Sequence, residues 1–153
     1  MENFWIKTRN DEREQNGSLM TAWLDVDLPS SEFKKMVEEL LAAPGNRKLV
    51  GIRALAEGEQ DVNFLARDNV KSNVNLLANF DISFELLIRT ANFSSAEELV
   101  KSCPNTRFVL NHMGKPDVTG SNWADRSNWE HGITLLSQLQ NVHCKLSGFY
   151  AGI

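Results

Sequence analysis

Five short apolar runs, separated by stretches with helical spacing, limit the folds open to this 153-residue chain more than any other feature. The runs are Leu19 to Val26, Leu49 to Ala54, Ile82 to Ile88, Phe108 to Leu110 leading into His112, and Val142 to Ser147. Between the first two, Ser31 stands as an N-cap, Phe33, Met36, Val37, Leu40 and Leu41 follow at helical spacing, and Pro44-Gly45 closes the segment. Val70, Val74, Leu76 and Leu77 mark the next helix. Ser94 or Ser95 caps a third, which carries Ala96, Leu99 and Val100 and ends near Cys103-Pro104. A polar loop from Asp117 to Asp125 leads to a fourth with Trp129, Ile133, Leu135, Leu136 and Leu139. Ahead of all these, Glu2 to Gln15 reads as a helix ending at Asn16-Gly17. Strands alternating with helices predict βαβ units, right-handed crossovers and a parallel sheet, although periodicity does not distinguish an open sheet from a closed one.

The fourth run is the one built to carry chemistry. Arg-Phe-Val-Leu-Asn-His-Met-Gly-Lys-Pro, residues 107–116, is a short strand that delivers His112 and then breaks at Gly114 and Pro116. Loops at the carboxyl ends of parallel strands hold the ligands of α/β folds, so a titratable side chain there is a candidate ligand or base. A hydrogen-bonded structural histidine is the competing reading.

Composition narrows the partners. The formal charge is −4, and neither Lys nor Arg gathers into a block, which argues against a nucleic-acid or anionic-membrane surface and for a small-molecule partner. Cys103 and Cys144 lack CxxC or Cys/His ligand spacing and read as reduced thiols of a cytoplasmic protein. No apolar run nears the roughly 20 residues of a membrane span, and the N-terminus is not a signal peptide. No GxGxxG or GxxxxGK[ST] follows a strand, so motif gives nucleotide binding no support. The oligomeric state is not legible.

Several motifs occur together in order: Gly51-Ile-Arg53, Phe84-Glu-Leu-Leu87, Phe108-Val-Leu-Asn-His-Met-Gly-Lys-Pro116, Trp129 with Ile133, and Asn141-Val-His-Cys-Lys-Leu-Ser-Gly148. In that order and spacing the chain, from about Gly17 onward, resembles the lactonase branch of the amidohydrolase-related family, the branch of fuconolactonase and sulfomuconolactone hydrolase. The resemblance implies a distorted TIM barrel that opens small acidic lactones, of sugar-acid or muconate type, by water attack, often with one divalent metal such as zinc or manganese. Departures accompany it. The family's opening His-x-His strand and its closing Gly-Ser-Asp-Trp-Pro strand are absent, Asn111 and Glu85 stand where aspartates are usual, and His143 stands where an aromatic is usual. A full barrel needs about 250 residues, so the expectation is an α/β fold forming an incomplete TIM-type (β/α) barrel of about five parallel strands, with residues 1–153 one partial domain. Alone it is expected to be inactive and to bind metal weakly. The alternatives are a metal-dependent decarboxylase of the same superfamily and a truncated product with no catalysis.

Carried onto this sequence, the resemblance makes His112 a metal ligand or water-orienting base, and a neutral imidazole suits either role. Arg53 could fork onto a substrate carboxylate or ring carbonyl, or pair with Glu57 or Glu59. Lys145, in an otherwise buried strand, should reach a carboxylate, a substrate anion or the solvent-filled mouth, and is the second catalytic candidate. Lys115 could steer an anionic substrate, although a solvated loop lysine is the plainer reading. His131 and His143 read as structural, and Ser147 lies in no triad motif. Alternation predicts that His112 shares its side with Phe108 and Leu110 and faces the barrel interior, with Arg53 and Lys145 on the same rim and Val109 beneath the outer helices.

Overall fold

The computed structural model of the chain describes residues 5–7, 19–43, 48–116 and 123–148, with residues 5–7 and 123–125 described by backbone alone. Its framework is one six-stranded sheet in sequential order: β1 (Trp5–Lys7), β2 (Leu19–Trp23), β3 (Lys48–Ala54), β4 (Ser83–Leu86), β5 (Phe108–Leu110) and β6 (Val142–Cys144). Strands β2 to β6 are all parallel, while β1 runs antiparallel to β2. Helices α1 (Ser30–Ala42), α2 (Asp68–Leu76), α3 (Phe93–Ser102) and α4 (Trp123–Ser137) follow β2 to β5 in turn. The five parallel strands and their four crossover helices are those the sequence pattern predicts, and the sheet is open: β1 lies at one edge and β6 at the other.

Register divides the sheet into two unlike faces. One row runs Ala22, Ile52, Phe84, Phe108, and the next runs Ala54, Leu86, Leu110. These side chains join Phe33 and Val37 of α1, Val70 and Val74 of α2, Ala96, Leu99 and Val100 of α3, and Leu136 of α4 in one buried cluster. Apolar side chains at i and i+4, such as Phe33 with Val37, give each helix the stripe that covers this face. Phe84 and Phe108 meet edge to face at 6.0 Å. The opposite face carries the row Trp23, Arg53, Glu85, Val109, His143 and is polar.

Four expectations change. Trp5–Lys7 is strand, not helix, because β2 offers it an open edge to pair with. Ser31 lies inside α1, which is preceded by Pro29, and neither it nor Ser94 or Ser95 caps a helix. Ser95 instead donates to the carbonyls of Val62 and Asn92. Helix α4 begins at Trp123, inside the stretch expected to be loop, while residues 117–122 and the Pro44-Gly45 stop lie outside the described residues. Val109 does not pack beneath the helices. Phe108 and Leu110 do, at 0% and 1% exposure, so Val109 shares the polar face with Glu85.

Candidate active site

A charged side chain inside an apolar strand must find partners or lose its charge. Glu85, in the middle of β4, has four partner residues from four parts of the sheet. Thr21 of β2 donates from Oγ1 to Oε1 at 2.9 Å, and Lys145, one residue past β6, donates from Nζ to the same oxygen at 2.7 Å. Arg53 of β3 donates from Nε to Oε2 at 2.9 Å and from a terminal nitrogen to that same oxygen, where Asn111, just after β5, adds its Nδ2 at 3.1 Å. Burial alone would raise the Glu85 carboxyl, but the bonds from Lys145, Arg53 and Asn111 outweigh it and bring the pKa down to about 2. The group is therefore a fixed anion, too weak a base to take a proton from water at neutral pH. With two cations on one anion the network keeps one net positive charge. Its accessible part is Lys145, whose side chain is 40% exposed against 14% for Arg53.

His112 stands in a different local arrangement. After Leu110 the backbone enters a left-handed turn in which His112, Met113, Gly114 and Lys115 have φ of 53°, 55°, 70° and 49°. Strand alternation therefore does not set the direction of the imidazole. Its Nδ1 lies 3.0 Å from Ser147 Oγ, beyond β6. Lys115 is not a solvated lysine: its Nζ lies 2.7 Å from both carboxylate oxygens of Glu57, which also pairs with Arg89 at 3.4 Å. Glu57 is thus occupied from the loops after β4 and β5, and Arg53 pairs with Glu85 rather than with Glu57 or Glu59. An open pocket of about 460 Å³ lies beyond the carboxyl ends of β2 and β3, walled by Trp23, Asp25, Leu55, Glu59 and Arg67 among others.

Of the residues singled out in the sequence, the structure joins Arg53 and Lys145 through Glu85, ties His112 to Ser147, and sets Lys115 on Glu57. His131 on α4 and His143 on β6 are exposed. The residue that sequence reasoning missed as a site member is Glu85, and with it Thr21 and Asn111. The signal was present: a glutamate within Ile82 to Ile88 is a charge in a buried strand, which has to be paired. A divalent cation asks for about three protein ligands. Among the described residues no group of three His, Cys, Asp or Glu side chains gathers that could hold one. His112 offers a single nitrogen and the Glu85 oxygens are taken, so the described donors do not by themselves fit a metal centre.

Comparison with known proteins agrees with this architecture. A curated L-fucono-1,5-lactonase from Burkholderia ambifaria is 25% identical over 126 residues, a match that covers 82% of this chain and 41% of the lactonase. The chain thus spans about two fifths of that relative's length. A zinc-bound crystal structure of an amidohydrolase from Burkholderia multivorans superposes with a TM-score of 0.72 at 24% identity, over 85% of this chain and 44% of the other. Amidohydrolase 2 from Bifidobacterium longum subsp. infantis does so with a TM-score of 0.53 at 17% identity, over 87% of this chain and 55% of the other. These two likenesses establish the fold, an incomplete (β/α) barrel. The amidohydrolase family profile matches residues 11–152, nearly the whole chain, and the chain belongs to that family.

Proposed function

We propose that this chain supplies the central strands of a hydrolase that opens a small lactone by water attack, the substrate being a sugar-acid or other acidic lactone. The observation that carries the reading is the pair of cations, Arg53 and Lys145, held by one buried carboxylate near the carboxyl ends of β3 and β6. Hydrogen-bond donors fixed in place before reaction stabilise charge that develops on a carbonyl oxygen, and cost no reorganisation when it appears. In this reading Lys145 meets the oxygen or the carboxylate of the substrate, Arg53 adds charge behind it, and Lys115 contributes to the positive rim. His112 takes the proton of the attacking water and returns it to the ring oxygen as the acyl bond to that oxygen breaks. The lactonase relative supports the reaction class, and its name supports a sugar lactone.

Because the chain spans 41% of that relative, the activity is proposed for the complete enzyme, and the 153 residues alone are proposed to be inactive. Proton release from a panel of sugar 1,5-lactones and carboxylated lactones tests the reading in the complete enzyme, with carbon dioxide release measured alongside. Lactone opening without carbon dioxide is the expected result. Carbon dioxide release from aromatic acids, or no turnover of any lactone, would replace it.

A further inference from the structure

The open pocket of about 460 Å³ has the size of a small-molecule site and lies beyond the carboxyl ends of β2 and β3, beside the Glu85 network rather than within it. Trp23 joins the two. It pairs in register with Arg53 on the polar face of the sheet, and at 38% exposure it walls the pocket together with Leu55, 50% exposed, and buried Phe64. An indole left open at a strand end offers its face to an apolar ring surface. The walls are held from behind. Asn73 of α2, fully buried, donates to the carbonyls of Val26 and Leu28 at 3.0 and 2.8 Å, and Arg67 ties Asp27 to Asp61 while lying 5.1 Å over the Phe64 ring. The cavity is therefore preformed, which lowers the ordering cost of filling it.

Charge narrows the occupant. Asp25 and Glu59 stand exposed at the rim: Asp25 takes the Asp27 N–H at 2.9 Å, and the Glu59 carboxylate has no partner among the described residues. Arg67, the cation of the pocket wall, is occupied by Asp27 and Asp61. An anion in the pocket would face the carboxylates, and a cation extending from it to the network would meet the positive charge that Arg53 and Lys145 retain. What remains is an uncharged ligand. Since a carboxylate accepts and does not donate, that ligand must carry donors. A ring bearing hydroxyl groups has both the face for Trp23 and the donors for Asp25 and Glu59.

We propose that this pocket is a subsite for the uncharged, hydroxylated part of the substrate: a pyranose-type ring laid on Trp23, its hydroxyls donating to Asp25 and Glu59, its carbonyl end turned toward Lys145. The orientation toward Lys145 rests on the lactonase reading, whereas the ring binding is measured without turnover. The chain has four tryptophans, so the indole N–H signals of the 15N-labelled chain are few, and Trp23→Phe identifies that of Trp23. 1,5-Anhydroglucitol, an uncharged hydroxylated ring that water does not open, should shift this signal saturably. Tetrahydropyran, tetrahydropyran-2-carboxylate and piperidine, which lack the hydroxyls or carry a charge, should bind more weakly. Asp25→Ala and Glu59→Ala, both at exposed positions, should each weaken the anhydroglucitol about fivefold, the equivalent of one ordinary hydrogen bond. In the complete enzyme Glu59→Ala should raise KM for a hydroxylated 1,5-lactone by the same factor, leave kcat unchanged, and leave δ-valerolactone unaffected. No saturable shift of the Trp23 signal, or equal or tighter binding of the carboxylate or the amine, overturns the assignment. If the ring binds as expected and the complete enzyme opens no lactone, the ring site stands and the lactonase reading falls. Lactone opening without ring binding keeps that reading and removes the subsite.

Discussion

Lys145 Nζ lies 2.7 Å from Oε1 of Glu85, a residue 60 positions earlier in the chain and on the far side of β5. The contact joins β4 to the end of β6 across the strand between them, and it ties a half-exposed cation to a buried carboxylate. What Lys145 can do is therefore set by Glu85.

The first prediction follows from the sign of the Glu85 shift. Its folded pKa is depressed from 4.5 to about 2, so its contribution to stability is fully present above pH 4.5 and is lost as the pH falls toward 2. A displacement of that size corresponds to about 3 kcal/mol. Glu85→Gln should cost about 3 kcal/mol near neutral pH in urea titrations, because it leaves Arg53 and Lys145 without their anion. The gap from the parent should narrow between pH 4.5 and 2. A gap that stays constant over this window would show that another group is responsible.

Arg53 gives a prediction about substrate charge. If its charge, set behind Lys145, helps hold the carboxylate of an acidic lactone in the complete enzyme, Arg53→Ala should lower catalytic efficiency by about 2 to 5 kcal/mol, which is tens-fold to thousands-fold. Neutral lactones should barely respond. Equal losses on both would assign Arg53 to holding Glu85 alone.

Two glycines pinch Phe93 between the left-handed turn and α4. A Cβ at Gly132 would sit 2.3 Å from the Phe93 ring, and one at Gly114 would sit 2.6 Å from it at a φ of +70°. Gly132→Ala should destabilise by about 1 to 3 kcal/mol through overpacking. Gly114→Ala adds backbone strain and should cost more. The ranking is read from urea midpoints, and equal midpoints would mean that Phe93 moves aside.

Thiol chemistry should separate the two cysteines. Burial pushes the Cys103 thiol up to about 11, whereas Cys144 is exposed on the edge strand β6. A neutral-pH disulfide reagent should modify Cys144 in the folded chain and reach Cys103 only after denaturant is added. Two fast-reacting thiols under native conditions would contradict the packing of α3 against the sheet.

What could be read from the residues was whatever repeats locally. Phe33 with Val37, or Ala96 with Val100, lie on one helix face by spacing alone, and the five strands announce themselves as apolar runs bounded by breakers. Alternation also separates Phe108 and Leu110 from Val109 correctly, but it does not say which set meets the helices. Asn111, on the Val109 side, was the clue that this side is polar. Glu85 and its partners were hidden for a different reason: the bonds span 26 to 64 residues, and no local pattern records them. The Gly-Lys-Pro signal predicted that the strand would stop after His112. It did not predict the left-handed path, which Trp129, bonded to the Met113 carbonyl, Phe93 and Glu57 impose from other elements.

The Glu85 network also bears on the order in which the chain is made. A ribosome releases Thr21, Arg53, Glu85 and Asn111 well before Lys145, so a nascent chain carries this carboxylate for a time with one of its two cations missing. Strands β2 to β5 can pair in that interval, with Glu85 Oε1 then bonded by Thr21 alone. Arrival of Lys145 adds the second bond to that oxygen. The last described strand acts on this view as a latch for a sheet already formed, not as a seed for it.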